Sequence, residues 1–104
     1  MIKVIIERRI MPGLEEEYEE AAREAIRQSL GASGFVSGET LVEMGHSDRR
    51  LVITKWRDMR AWKDWVNSEH RARAMQRLQP LLTEEERIRI YEPATDSPPL
   101  GDGI

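Results

Sequence analysis

The three tryptophans of the chain, Trp56, Trp62 and Trp65, fall within one stretch of ten residues. Aromatic rings bury more area than other side chains, so this concentration constrains where the core of the folded chain must lie. Trp56 ends a predicted strand, and the other two tryptophans lie in the helical segment that follows it. We therefore expect that helix to pack on a sheet at this junction, with any ligand cavity beside it.

Composition narrows the class of protein. The chain has 104 residues, which suits one domain of ordinary size. Its net charge of -3 gives no excess of positive charge for a phosphate backbone, so we expect no nucleic-acid partner. The absence of cysteine excludes disulfides and thiolate metal sites and suits a reducing compartment. No stretch approaches the ~20 apolar residues of a membrane span, so we expect a cytoplasmic protein without a membrane partner.

Hydrophobic periodicity predicts the order of strands and helices. Residues 2–10 alternate between apolar and polar side chains, as in a strand with one buried face, and only Arg8 interrupts the apolar parity. From Leu14 onward the apolar side chains follow the spacing of a helical stripe. The same reasoning predicts strands over residues 35–44, 51–56 and 86–92, a turn over residues 45–48, and two further helical segments capped by Asp58 and Ser68.

This order of elements predicts an α+β fold of the ferredoxin-like βαββαβ type. Such a fold has a four-stranded antiparallel sheet with its helices on one face. We expect residues 1–93 to form this domain. Residues 94–104 have too little apolar content to pack, so we expect them to form a disordered tail.

The other face of that sheet would be left uncovered. The second and third predicted strands carry apolar side chains at both odd and even positions, so both of their faces are apolar. A single copy of the chain should not expose such a surface. Stacking this face on a second copy would cover it, so we expect an obligate homodimer, a dimeric α+β barrel. The side chains concerned are Phe35 and Leu41 against Val36, Val42 and Met44, and Leu51 and Ile53 against Val52 and Trp56.

Four segments together match one known pattern. They are the opening strand with its ending Ile10-Met-Pro-Gly13, the run Gly34-Phe-Val-Ser-Gly-Glu-Thr40, the run Leu51-Val-Ile-Thr-Lys-Trp56, and the stretch from Trp62 to His70. In these segments the chain resembles the antibiotic biosynthesis monooxygenase-like dimeric α+β barrels. The resemblance covers residues 1 to about 93. It implies the fold together with several activities, namely cofactor-free oxygenation of quinol-like aromatics, haem degradation and isomerisation of small metabolites.

The cofactor-free branch of this family implies a particular kind of site. Its substrates are phenols that reduce dioxygen themselves once deprotonated, so the protein supplies a dry aromatic cavity and a positive group for the oxyanion. We predict a monooxygenase of this kind, with no cofactor and no metal, that acts on a small quinol-like or other planar aromatic molecule. The predicted residues are Arg8 for the oxyanion, His70 as a candidate base, and Trp56, Trp62, Trp65, Met75 and Tyr18 as substrate-binding side chains.

Each prediction has an alternative. Arg8 would instead pair with Glu39 or Glu43 of a neighbouring strand, the tryptophans would fill the core, and His70 would be a surface residue. The alternative function is a non-enzymatic small-molecule-binding or stress-associated dimer. Haem binding or degradation is disfavoured, because the haem-degrading branch has asparagine at the position of Arg8 and an iron-ligating histidine at that of Met75.

Overall fold

Four strands and three α-helices account for most of residues 1–94, the part of the chain that the computed structural model describes. The strands are β1 (Ile2–Arg9), β2 (Phe35–Glu43), β3 (His46–Trp56) and β4 (Arg87–Tyr91), and the helices are α1 (Glu15–Ser29), α2 (Met59–Val66) and α3 (Glu69–Leu78), followed by a 3-10 turn at Gln79–Leu81. The antiparallel sheet has the order β2-β3-β1-β4, which confirms the ferredoxin-like prediction. Beyond Ala94, the predicted tail lies outside the described residues.

Side-chain caps explain why the second helical region is two helices. The Asp58 carboxylate accepts a hydrogen bond from the backbone N–H of Ala61 at 2.9 Å and begins α2. The Ser68 hydroxyl oxygen accepts from the backbone N–H of Arg71 at 3.1 Å and begins α3. Both caps confirm the sequence prediction, and each supplies a partner for a backbone N–H that the helix itself leaves free.

Neither α2, α3 nor any other helix within residues 1–94 is long and apolar enough to cross a membrane.

The core lies between the helices and one face of the sheet, as the tryptophans predicted. Trp56 is fully buried at the end of β3. Its ring packs edge-on against Phe35 and Trp62, with centroids 5.2 and 5.7 Å away, and stacks on Trp65 at 6.2 Å. A second buried group joins α1 and α3 at the far end of the sheet, and consists of Ile10, Tyr18, Ala21, Ala22, Leu78 and Leu82.

Two local predictions were wrong: the length of the turn between β2 and β3, and the placement of Phe35 and Leu41 on the same face of β2. The predicted turn over residues 45–48 is shorter, because β3 already begins at His46 and Gly45 alone takes a positive φ of 80°. A register shift between Phe35 and Ser37 also inserts one extra residue in β2. Since a bulge reverses the side-chain parity, Phe35 lies on the helix-facing side opposite Trp56, whereas Leu41 lies on the other face.

The helix-free face of the sheet carries apolar side chains in its centre. Ile5 lies directly opposite Ile53, and Leu41 lies opposite Leu51. Leu41 is 44% exposed, and the other three side chains are partly exposed. This is the face on which the expectation of a homodimer rests.

Candidate functional site

Two arginines share one carboxylate beneath the helices. Arg8 Nε donates to Glu86 Oε2 at 2.7 Å, and Arg71 Nη2 donates to Oε1 of the same carboxylate. The three side chains are 5%, 9% and 9% exposed in the order Arg8, Glu86, Arg71. Arg8 is thus ion-paired, but its partner is Glu86 rather than the predicted Glu39 or Glu43. We call Arg8, Glu86 and Arg71 the buried charge cluster.

The buried charge cluster carries one net positive charge, since two guanidiniums face a single carboxylate. Burial by itself would lower the pKa of Arg8, but the neighbouring Tyr18 and Glu86 raise that pKa above its ordinary value. Burial would likewise raise the pKa of the Glu86 carboxyl, but the positive charges of Arg8 and Arg71 hold that pKa below its ordinary value. Arg8 and Glu86 are therefore both ionised at neutral pH.

Tyr18 links this cluster to α1. Its hydroxyl oxygen accepts a hydrogen bond from Arg8 Nη1 at 3.3 Å, and the side chain is almost fully buried. The ring centroid lies 6.0 Å from Arg8 Cζ and 5.6 Å from Arg50 Cζ, so two cations flank the ring. Arg50 is also ion-paired with Glu19. The predicted site residues Arg8 and Tyr18 are therefore in direct contact.

A crevice of about 40 Å³ separates the buried charge cluster from the tryptophans. Its lining includes Arg8 and Arg71 together with Trp56, Trp62 and Trp65. This volume accommodates one or two waters but no aromatic ring, because a ring requires on the order of 150 Å³. The tryptophans therefore fill most of the space in which the sequence predicted a ligand cavity.

A larger groove runs between α1 and β2. It has a volume of about 360 Å³, which lies within the range of roughly 300–1,000 Å³ that small-molecule sites occupy. Tyr18 lies in its wall on α1, and Thr40 lies in its wall on β2. Ala22 and Ile26 line both the groove and the crevice, so these two side chains form the partition between them. We call this space the α1–β2 groove.

His70 lies apart from the buried charge cluster, whereas Met75 lies one helical turn from Arg71 on α3. His70 is exposed in the first turn of α3, with Nδ1 3.3 Å from Arg73 Nη2, and with Trp65 it lines a separate cleft of about 250 Å³. Met75 packs against the buried group around Tyr18. Within residues 1–94, no three histidine, aspartate or glutamate side chains are grouped to hold a metal ion. The roles assigned to His70 and Met75 stay predictions.

Sequence reasoning missed Glu86 and Arg71. Glu86 ends an acidic run of three glutamates that resembles a solvated segment. Arg71 offers a clearer signal, because it lies four residues before Met75 and seven before Leu78, on the buried stripe of α3. Arg71 is thus a charged residue on the buried face of a helix, just as Arg8 is a charged residue on the buried face of a strand.

Comparisons with known proteins agree with this fold. The sequence profile of the antibiotic biosynthesis monooxygenase family matches residues 1–77. The chain has no match among curated proteins.

Three solved structures illustrate the likeness. An antibiotic biosynthesis monooxygenase superposes with a TM-score of 0.84 at 17% identity, covering 91% of this chain and 100% of the other. A variant of SnoaB, a cofactor-independent oxygenase from Streptomyces nogalater, gives 0.83 at 16% identity, covering 94% and 97%. A conserved protein from Methanosarcina mazei gives 0.81 at 20% identity, covering 86% and 89%. At such identities the likeness concerns the fold.

Proposed function

The chain belongs to the antibiotic biosynthesis monooxygenase family, and on that premise we propose that it is a cofactor-independent monooxygenase acting on a small, planar, electron-rich phenol. The observation that carries the proposal is the buried charge cluster, whose net positive charge lies next to the Tyr18 hydroxyl. A preorganised positive charge away from water stabilises a developing oxyanion far more than the same charge does in solvent.

The chemistry requires only the substrate and dioxygen. An anthrone illustrates the balance: its CH₂ carbon loses a proton, and the resulting anion forms a C–O bond to dioxygen. The O–O bond of the peroxide then breaks, one oxygen remains as a carbonyl, and the other leaves as water with the two hydrogens. The substrate supplies all the electrons, so the protein has to bind the substrate, stabilise its anion and exclude water.

We place the organic substrate in the α1–β2 groove, which has the volume that the crevice lacks. The substrate oxygen would lie beside Tyr18, the groove residue that contacts Arg8. Arg8 then acts on the oxyanion by its charge and by holding the tyrosine hydroxyl. Glu86 and Arg71 keep Arg8 in place.

Oxygen uptake with a panel of anthrones and reduced naphthoquinones tests this proposal. We expect saturable uptake by the wild type, and Arg8→Met should lower kcat by roughly 10²–10³-fold. Arg71 remains paired with Glu86 in that variant, so the buried carboxylate keeps a partner. Arg8→Lys should retain part of the activity. The matched control is Arg27→Met, which removes an exposed guanidinium paired with Glu24 and should leave uptake unchanged. No uptake with any substrate, or equal uptake by wild type and Arg8→Met, would overturn the proposal.

A non-enzymatic small-molecule-binding protein is the second candidate. The observation in its favour is the small crevice, because the tryptophans occupy most of the space between helices and sheet. This alternative predicts that planar phenols bind, as detected by quenching of tryptophan fluorescence, without any consumption of oxygen. The oxygenase proposal predicts both quenching and consumption.

A further inference from the structure

We propose that the crevice between the buried charge cluster and the tryptophans is the site that holds dioxygen during the reaction. This inference rests on the proposed oxygenase function and assigns the second substrate of that reaction to its own place. The organic substrate would occupy the α1–β2 groove, on the other side of Ala22 and Ile26.

Volume is the first argument. The crevice measures about 40 Å³, well below the cavity volume on the order of 150 Å³ that holds a benzene ring. A diatomic molecule fits this space, whereas an aromatic ring does not. The crevice is therefore large enough for dioxygen but too small for the aromatic substrate.

The lining is the second argument. Most of the side chains around the crevice are apolar, including Ile6, Ala25, Val52 and the three tryptophans. Thr54 Oγ1 already accepts a hydrogen bond from Trp56 Nε1 at 2.9 Å, and Ser29 Oγ donates to the Ile26 carbonyl at 2.7 Å. A buried water needs two to four polar partners. Apart from Arg8 and Arg71, the polar side chains of this lining are therefore already hydrogen-bonded, and an apolar gas needs no polar partner among them.

Charge is the third argument. Arg8 and Arg71 both line the crevice, and with Glu86 they leave one net positive charge there. Neutral dioxygen gains little from this charge. When the substrate anion transfers one electron, however, dioxygen becomes superoxide, and the cluster then stabilises the product of that transfer. The positive charge thus lowers the free energy of the electron transfer to dioxygen, which would otherwise be unfavourable.

The position of the crevice completes the sequence of events. Ala22 and half-buried Ile26 separate it from the α1–β2 groove. The electron passes across this partition from the substrate anion to dioxygen, and leaves a substrate radical in the groove. Superoxide then passes between Ala22 and Ile26 into the groove, where it combines with the radical to form the C–O bond. The resulting peroxide loses water as described above, so no further oxidant or reductant enters.

Filling the crevice is the kinetic test. Ala25 and Ala74 line the crevice from α1 and α3, and neither lines the α1–β2 groove. We expect Ala25→Leu and Ala74→Leu each to raise the KM for oxygen about tenfold, with the KM for the aromatic substrate unchanged. Thr40→Leu in the groove is the reciprocal control and should raise only the KM for the aromatic substrate. An unchanged oxygen KM in both alanine variants would overturn the dioxygen site.

Xenon provides a readout that does not depend on turnover. Wild-type crystals pressurised with xenon should show one peak in the crevice, and Ala25→Leu crystals should lack it. Turnover without a xenon peak and without a change in oxygen KM would overturn the dioxygen site and leave the oxygenase proposal standing. A xenon peak without oxygen uptake on any phenol would overturn the oxygenase proposal, and the assignment of dioxygen with it.

Discussion

Glu86 is the residue on which the buried charge cluster depends. Its carboxylate is the shared partner of two buried guanidiniums, so Glu86→Gln would leave Arg8 and Arg71 without an opposing charge. Removing one member of a buried ion pair typically costs about 3–5 kcal/mol of unfolding free energy. We expect a loss of that size in urea unfolding. Glu84→Gln, which removes an exposed pair with Arg9, is the matched control and should change the free energy little. Equal small losses in both variants would contradict the role of Glu86.

The same carboxylate predicts how stability depends on pH. The pKa of Glu86 in the folded chain lies below its ordinary value of 4.5, because Arg8 and Arg71 outweigh the effect of burial. Its contribution to stability is therefore complete above the unfolded pKa and is lost as the pH falls below about 4.5 towards the folded pKa. Urea midpoints measured from pH 6 to pH 3 should fall more steeply for the wild type than for Glu86→Gln. Parallel curves would show that Glu86 does not titrate as described.

For single residues, the sequence contains a signal for the buried arginines Arg8 and Arg71, but none for Glu86, the carboxylate that pairs with both. Arg8 was recognisable because a charge on the buried parity of a strand needs a partner, and Arg71 carries the same signal on a helix. Glu86 carries no such signal, since it follows two other glutamates. Its burial arises from the chain path before β4, which brings it 2.7 Å from an arginine 78 positions away. Only the tertiary fold specifies such a pair.

At the element scale, Gly34 determines how closely the β2 start approaches α2. It has a φ of +85°, and a Cβ placed on it would lie 2.4 Å from the Ala61 Cβ. Gly13 has the same φ, but nothing lies within 4 Å of its Cβ position. Both Gly→Ala changes carry backbone strain, and Gly34→Ala adds a collision, so we expect it to cost about 1–3 kcal/mol more than Gly13→Ala. Chemical denaturation measures the difference. Adding Ala61→Gly should recover most of it, and equal losses for the two glycine variants would contradict the packing.

The sequence predicted well those features that depend on residues close together in the chain, such as the starts of α2 and α3. The caps Asp58 and Ser68 act within three residues, so they are readable without the fold. The register shift after Phe35 is different, because it depends on how β2 is matched to β3 and to the rings around Trp56. The β2–β3 turn was overestimated for a related reason. His46, Ser47 and Asp48 are typical turn residues, yet pairing with the neighbouring strand extends β3 through them.

At the scale of the whole molecule, we propose that the helix-free sheet face is the homodimer interface. Light scattering should give twice the chain mass of 12.1 kDa at micromolar concentration. Ile53→Glu places a charge at the centre of that face, opposite Ile5, and should yield monomers. Leu30→Glu is the control, because Leu30 is already 64% exposed at the end of α1. A wild-type particle of 12.1 kDa would contradict the proposed assembly.

We propose that one uncompensated positive charge, buried beside Tyr18, stabilises the anion of a bound phenol. A nitronaphthol reports this stabilisation, because its phenolate absorbs at longer wavelength than the neutral form and the compound is not expected to turn over. Its absorption should be titrated against pH with saturating wild type and with Arg8→Met. We expect the bound probe to ionise about one pH unit or more below its value in water with the wild type, and close to that value with the variant. A bound probe that ionises at its value in water in both proteins would contradict the claim.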